Sequence, residues 1–302
     1  MKTKTIITAL LLCVAIGALA DEPKALLESV TIDYGTYQDK HEYTYDINGI
    51  LSCEVYSSNQ YGTWEARDKK EYTYNTLGKV ETCMLFFWET DVNGWEINRK
   101  SEYSYNDKGD QIECKISMWD PDDEMWINSQ HLKTAYTYDT NNRITTAIDS
   151  FMLYNMWFAE HKYTYTYDET GNLIEKVTYF SNGDPGGWNT EGKSTYTYDS
   201  NGNLITVHEY SWQDASKTWG DKSEDELVYD VNGYLITEIL YKWIDNSKKQ
   251  YSTSSYYYHG YNTALYQLEA DSQSMGVKFL LNGQLLIEHN GKTYDVTGKE
   301  VK

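Results

Sequence analysis

The stretch "YTYDSNGNLI", residues 196–205, reads as a β-hairpin turning on Asp199-Ser200-Asn201-Gly202. Asp at the first turn position and Gly at the fourth suit a type I turn followed by a left-handed glycine, which closes a three-residue loop with a bulge. In that geometry Asp199 faces Asn203 and Tyr198 faces Leu204. Near-copies stand at "YTYDINGIL" (43–51), "YTYNTLGKV" (72–80), "YTYDETGNLI" (165–174) and "LVYDVNGYLI" (227–236). Gly49, Gly171, Gly202 and Gly233 are therefore expected as structural turn residues. "YTYDTNNRI" (136–144) lacks the glycine and offers Asn142 in its place.

The first residues of the motif are Tyr43, Tyr72, Tyr103, Tyr136, Tyr165, Tyr196, Leu227 and Tyr256, spaced 29, 31, 33, 29, 31, 31 and 29 apart. A period of this size marks a repeat architecture, in which each unit buries its face only against its neighbours. Every spacing is odd, so insertions arrive in twos. That is a β signature, because one added residue turns all later side chains to the other face.

On this reading Tyr196, Tyr198, Leu204, Thr206, His208, Tyr210 and Trp212 share one apolar face, with Thr197, Glu209 and Glu238 on the other. Trp64, Trp95, Trp157, Trp188 and Trp219 each stand 8 residues before the next motif, and Trp126 stands 10 before. Even separations place them on the tyrosine face too, and we expect them buried beside it. Each unit is then a long hairpin with a tight Asn-Gly end and a looser end lined by Trp, such as "DPDDEM" (120–125) or "SNGDPGG" (181–187).

The segments "LLESVTIDYGTYQDKHEYTYD" and "KQYSTSSYYYHG" supply a half-unit at the front and another at the back. The expected fold class is all-β: tandem antiparallel hairpins with a period of about 29–33, roughly 15 or 16 strands, plus a small C-terminal β-tail. A twisted sheet that wide seldom stays flat. It should coil on itself as a roll, a superhelix or a closed barrel with its aromatic face inside. We take one long coiled or rolled meander as the working architecture.

Residues 1–20 have the charged, apolar and small-residue regions of a secretory signal, so the mature chain is expected to begin at Asp21. Residues 21–268 form the repeat domain, 269–275 a linker and 276–302 a C-terminal hairpin tail. No later apolar run is long enough for a membrane-spanning helix. Cys53, Cys83 and Cys114 are an odd set, expected as half-buried strand residues without a disulfide. Cys83 and Cys114 hold equivalent places in successive units, two strand spacings apart, beyond disulfide reach. The formal net charge of −20 argues against nucleic acid and anionic membrane surfaces.

The "YTYDxNGNLI" words resemble the YD repeats of the RHS family of secreted and surface bacterial proteins. The period here is longer, so the resemblance implies the hairpin-sheet architecture and not the family's encapsulated-toxin role. Similarity to MORN-like and aromatic cell-wall-binding hairpin repeats is looser. "VKFLLNGQLLIEHNGKTYDVTGKEVK", residues 277–302, resembles the end of a type IX (Por) secretion sorting domain through Tyr294, Asp295, Gly298, Val301 and Lys302. That resemblance implies a Gram-negative host, contact with the secretion system through residues 277–302, and a periplasmic, cell-surface or extracellular location. The other reading is a small capping hairpin.

No nucleophile elbow, zinc motif, phosphate loop or paired C-x-x-C stands in the chain. No catalytic residue, cofactor site or metal site is assigned. "DPDDE" (120–124) lacks EF-hand spacing and reads as a solvated loop, and His208 as a satisfied histidine of the apolar face. The 30 Tyr and 10 Trp, against 6 Phe, suit either half-buried strands or sugar platforms. Platforms are confined to the Trp-rich ends, with Trp88, Trp119, Trp212 and Trp243 as candidate ligand contacts. The expected function is a non-catalytic binding or scaffold protein for protein or glycan partners. The alternative is a secreted polysaccharide hydrolase.

Overall fold

A computed structural model describes residues 25–184 and 186–258, and in the C-terminal part 277–281, 284–289, 292–295 and 300–301. The expected signal segment and the linker at 269–275 lie outside the described residues. The chain begins with β1 (Leu27–Asp33), β2 (Gln38–Tyr45), β3 (Leu51–Asn59) and β4 (Trp64–Tyr74). It continues with β5 (Val80–Glu89), β6 (Gly94–Tyr105), β7 (Gln111–Asp120) and β8 (Met125–Tyr138). Next come β9 (Ile144–Leu153), β10 (Met156–Tyr167), β11 (Leu173–Ser181) and β12 (Trp188–Tyr198). The wall ends with β13 (Leu204–Gln213), β14 (Thr218–Tyr229), β15 (Leu235–Ile244) and β16 (Ser247–Tyr258). A separate antiparallel sheet holds β17 (Val277–Leu281), β18 (Gln284–His289), β19 (Lys292–Asp295) and β20 (Glu300–Val301) in chain order.

The sixteen strands form a closed antiparallel barrel, which overturns the coiled or rolled open meander. Closure comes from the two half-units. Tyr258 pairs with Leu27, Tyr257 with Ser29 and Tyr256 with Val30, and Glu28 is an extra residue. Inside the chain Tyr229 pairs with Leu235, Val228 with Thr237 and Leu227 with Glu238, with Ile236 extra. The two registers are the same. The front half-unit is thus the missing second strand of the eighth unit, and joining them leaves no unpaired edge.

At the tight end each turn adopts one conformation. Asp199 N–H donates to Asn203 O at 2.9 Å, Tyr198 pairs with Leu204, and Gly202 takes φ +83°. Asp199 Oδ1 also accepts from the backbone of Asn201 and Asn203, tying the loop to its first residue. Asn142 takes φ +62° in the turn that lacks glycine.

The faces differ from the expectation, for one reason repeated in every unit. Tyr198 pairs with Leu204 but Thr197 pairs with Thr206, so Ile205 is an extra residue that reverses the alternation. Thr206, His208, Tyr210 and Trp212 therefore lie opposite Tyr196, Tyr198 and Leu204, while Glu209 joins the tyrosine face. A second extra residue stands on the motif strand near the loop end, such as Asn98 between Ile97 and Arg99. It carries Trp95 away from Tyr103. The barrel wall thus has a tyrosine face and a tryptophan face.

The tyrosine face is tied together by its hydroxyls. Tyr45, Tyr74, Tyr105, Tyr167, Tyr198 and Tyr258 donate to the carbonyls of Leu27, Leu51, Val80, Ile144, Leu173 and Leu235 at 2.7–3.0 Å. Each acceptor is the first residue of the neighbouring return strand, beyond the end of the ladder toward the donor, where its carbonyl needs a partner. Small residues lie under the rings, among them Ser101, Cys114, Ala147 and Ser194, all below a tenth exposed. Burial pushes the Tyr103 hydroxyl up to about 12 and raises the Cys83 and Cys114 thiols. Among the described residues no large side chain is completely buried. Sixteen strands enclose more space than their side chains fill.

Candidate functional site

The tryptophan face carries a ladder. Lys40, Lys69, Lys100, Lys133, Lys162 and Lys193 stand three residues before the first motif aromatic in six successive units. Their ammonium groups lie 4.8–5.6 Å from the ring centres of Trp64, Trp95, Trp126, Trp157, Trp188 and Trp219. Each contact crosses a whole return strand, so one unit clasps the next. A cation over an indole contributes about 0.5–1 kcal/mol at a partly wet site. These tryptophans are half-buried or exposed, Trp64 at 38 %. The expectation of a Trp core beside the tyrosines is corrected accordingly.

Three of the four candidate ligand contacts share one arrangement. Trp88, Trp119 and Trp212 meet Trp95, Trp126 and Trp219 edge to face, with ring centres 5.0–5.2 Å apart. Lysines cover the second member of each pair, and among the described residues no lysine lies over Trp88, Trp119 or Trp212. Trp243 differs, stacking on His208 at 5.0 Å.

His208 lies beside one of the two motif strands that lack the ladder lysine, the other carrying Thr253 in its place. The lysine position there is Glu224 and the tryptophan position is Lys248, and they pair at 2.7 Å. Lys248 also meets Glu226 at 3.0 Å and lies 4.1 Å from the Tyr241 ring centre. His208 lies between Asp221 at 3.0 Å and Glu224 at 3.3 Å, stacked on Tyr210. It is on the tryptophan face, not the tyrosine face as expected. An ion pair here does what a cation over a ring does in the other units.

Charges also stand in mid-strand on the tyrosine face. Burial opposes ionisation of Glu54, but His41 at 2.8 Å, Lys70 at 3.1 Å and the Tyr72 hydroxyl at 2.9 Å hold its carboxyl down at about 2. Among the described residues no cation does this for Asp225, and burial with Glu238, Glu209 and Glu224 nearby lifts it to about 7. A shallow hollow of about 390 Å³ opens beside Lys176, Gly192, Ser194 and Ser211, and the Lys222–Glu209 pair crosses it at 3.1 Å. It lacks the apolar lining of a small-molecule pocket.

The loop end is the apolar part of the tyrosine face. Met118, Met125, Ile127, Met156, Phe158 and Phe180 are 37–56 % exposed, on strands from β7 to β11. Phe158 stacks on Phe151, which pairs with Leu132, then Cys114, then Tyr103, so this rim continues the tyrosine face. The expectation of sugar platforms looked to Trp and passed over these residues. Alternation counted from the nearest tyrosine across the loop-end bulge would have placed them.

In the 120–124 loop, Asp120 Oδ1 accepts from the backbone of Asp122 and Asp123, so its carboxylate is used within the turn. Among the described residues no group of three or more His, Cys, Asp or Glu is arranged to hold a metal ion. Cys53, Cys83 and Cys114 are free thiols. No described helix is long and apolar enough to cross a membrane.

No protein-family model matches the chain, and no curated protein matches it. Solved structures do align with it. A DUF3836 family protein from Parabacteroides distasonis aligns at 25 % identity over 30 % of this chain and 88 % of its own, with a TM-score of 0.26. A second DUF3836 family protein, from Bacteroides vulgatus, aligns at 20 % identity over 30 % and 89 %, with a TM-score of 0.27. A porin-like protein from Bacteroides uniformis aligns at 12 % identity over 78 % and 98 %, with a TM-score of 0.45.

Proposed function

We propose that the chain is a non-catalytic binding or scaffold protein, secreted or held at the surface of a Gram-negative bacterium. Its contact surface for a protein or glycan partner is the loop end of the barrel. The observation that carries this reading is the rim of exposed Met, Ile and Phe on one face, with the paired rings of Trp88, Trp119 and Trp212 on the other. Large exposed apolar patches mark interaction sites, and methionine adapts to varied partners.

The wall itself supports a barrel with water on both sides. A lipid-facing barrel needs an uninterrupted apolar band about 25 Å tall, and a cation at its middle costs about 2–4 kcal/mol. Here Lys69, Lys100 and Lys193 stand on one face and Lys70, Arg99 and Lys176 on the other. The hydrolase alternative draws on the Asp221–His208–Glu224 group, but Lys248 explains Glu224 as part of the ladder, which leaves His208 a single carboxylate partner in Asp221. The RHS resemblance and secretion through residues 277–302 belong to the same proposal.

The test combines glycan-array and host-protein binding with two variant sets, Met156→Asp with Phe158→Asp and the triple Trp88/Trp119/Trp212→Ala. Partner binding should fall at least ~10-fold in one set, with melting nearly unchanged. Undiminished binding in both would refute the loop end as the contact surface. Fractionation of the host with and without residues 277–302 tests the export reading.

A further inference from the structure

The opposite end of the barrel, where the tight turns lie, is polar along most of its circumference. Four consecutive turns carry Asp107 and Lys108, Thr140 and Asn141, Glu169 and Thr170, then Ser200 and Asn201 at their tips. The remaining three carry Ile47, Leu77 and Val231, which are 101 %, 76 % and 87 % exposed. These three are not scattered. The strand order places the β14–β15 turn, the β16–β1 seam, the β2–β3 turn and the β4–β5 turn side by side. The apolar tips therefore flank the place where the chain enters and leaves the barrel.

The first and last strands of the barrel are anchored there. Ala25 N–H donates to the Tyr234 hydroxyl at 3.1 Å, and Leu26 lies against Gly49. Tyr258 closes the ladder with Leu27. Eighteen residues, 259–276, then lead to β17. Even fully extended they reach at most about 60 Å, and such tethering raises the local concentration of whatever they carry.

We propose that the C-terminal four-stranded sheet, β17 to β20, docks on this end of the barrel over Ile47, Leu77 and Val231. Strands of 5, 6, 4 and 2 residues make a small sheet, and a segment well below about 40 residues rarely folds without a surface to cover it. Its segment is rich in Val, Phe, Leu and Ile between Val277 and Ile287. Charge favours the same match. Residues 277–302 hold four lysines against three carboxylates, whereas the whole chain is at −20. The turn carboxylate Asp46 accepts backbone hydrogen bonds from Ile50 and Asn48 that lower its pKa, and Asp230 accepts from the backbone of Asn232 and Tyr234. Two of the three turns, those of Ile47 and Val231, thus offer an apolar tip beside a carboxylate.

Amide hydrogen exchange on the full chain tests this, comparing it with the triple variant Ile47→Asp, Leu77→Asn, Val231→Asp. Each substitution installs a residue type that other units already carry at that turn position, so the barrel should fold. Exchange across 277–289 should quicken at least ~10-fold in the variant while amides of β3 to β15 keep their rates. Equal exchange of 277–289 in both proteins would overturn the proposal. So would an equal effect from Lys108→Asp, Asn141→Asp and Asn201→Asp on the far arc. Protection that disappears on dilution would assign the tips to a second copy and overturn it as well.

Discussion

Gly202 has nothing within 4 Å of where a Cβ would stand, so only its φ of +83° opposes a side chain. Gly202→Val should cost about 1–3 kcal/mol from backbone strain, read as a lower melting temperature. Gly202→Asn should cost less, since Asn142 holds the same conformation. Two carboxyls on the tyrosine face should give opposite pH profiles. Glu54, held at about 2, stabilises the fold above its unfolded pKa and loses this as pH falls toward 2. Asp225, raised to about 7, contributes stability that is fully present below its unfolded pKa and lost as pH rises toward 7. Asp225→Asn should therefore stabilise at pH 8 by roughly 1–2 kcal/mol and much less near pH 4. Equal gains at both pH values would show that its charge is not the cause. The turn residues were legible in the sequence because a turn's φ demands are local. The carboxyl environments were not, since each depends on residues from other strands.

At the scale of the hairpin, most units are joined to the next by a tyrosine tie on one face and a lysine–tryptophan clasp on the other. Tyr198→Phe removes the hydroxyl from Leu173 O and should cost about 1 kcal/mol. The altered clasp gives a sharper test. Glu224→Lys alone places a second cation beside Lys248 and should destabilise by about 1–2 kcal/mol. Adding Lys248→Trp restores the usual pair and should recover most of it. A double variant no better than the single one would mean that the clasp is incidental. The strands, their length and the Trp-to-Trp pairs were readable from spacing. The face of each Trp was not. A unit contains two one-residue bulges, and their reversals cancel over a full period, so the odd spacings concealed both.

For the whole molecule, β1 is the strand on which closure depends. Removing residues 25–33 would leave β16 and β2 with open edges, which pair with other chains. Such a variant should self-associate on size-exclusion chromatography with light scattering, while the full chain does not do so through these edges. A monomeric variant with an unchanged melting temperature would show that β1 adds little. The repeating words of the sequence were enough to establish an all-β chain of tandem hairpins, its tight turns and its period of about thirty residues. All of these follow from contacts within a unit or between adjacent units. Closure was not readable in this way, although both half-units were. It depends on whether accumulated twist and stagger bring Tyr258 beside Leu27 after sixteen strands. That is a sum over every ladder in the wall, and no local stretch of residues encodes it.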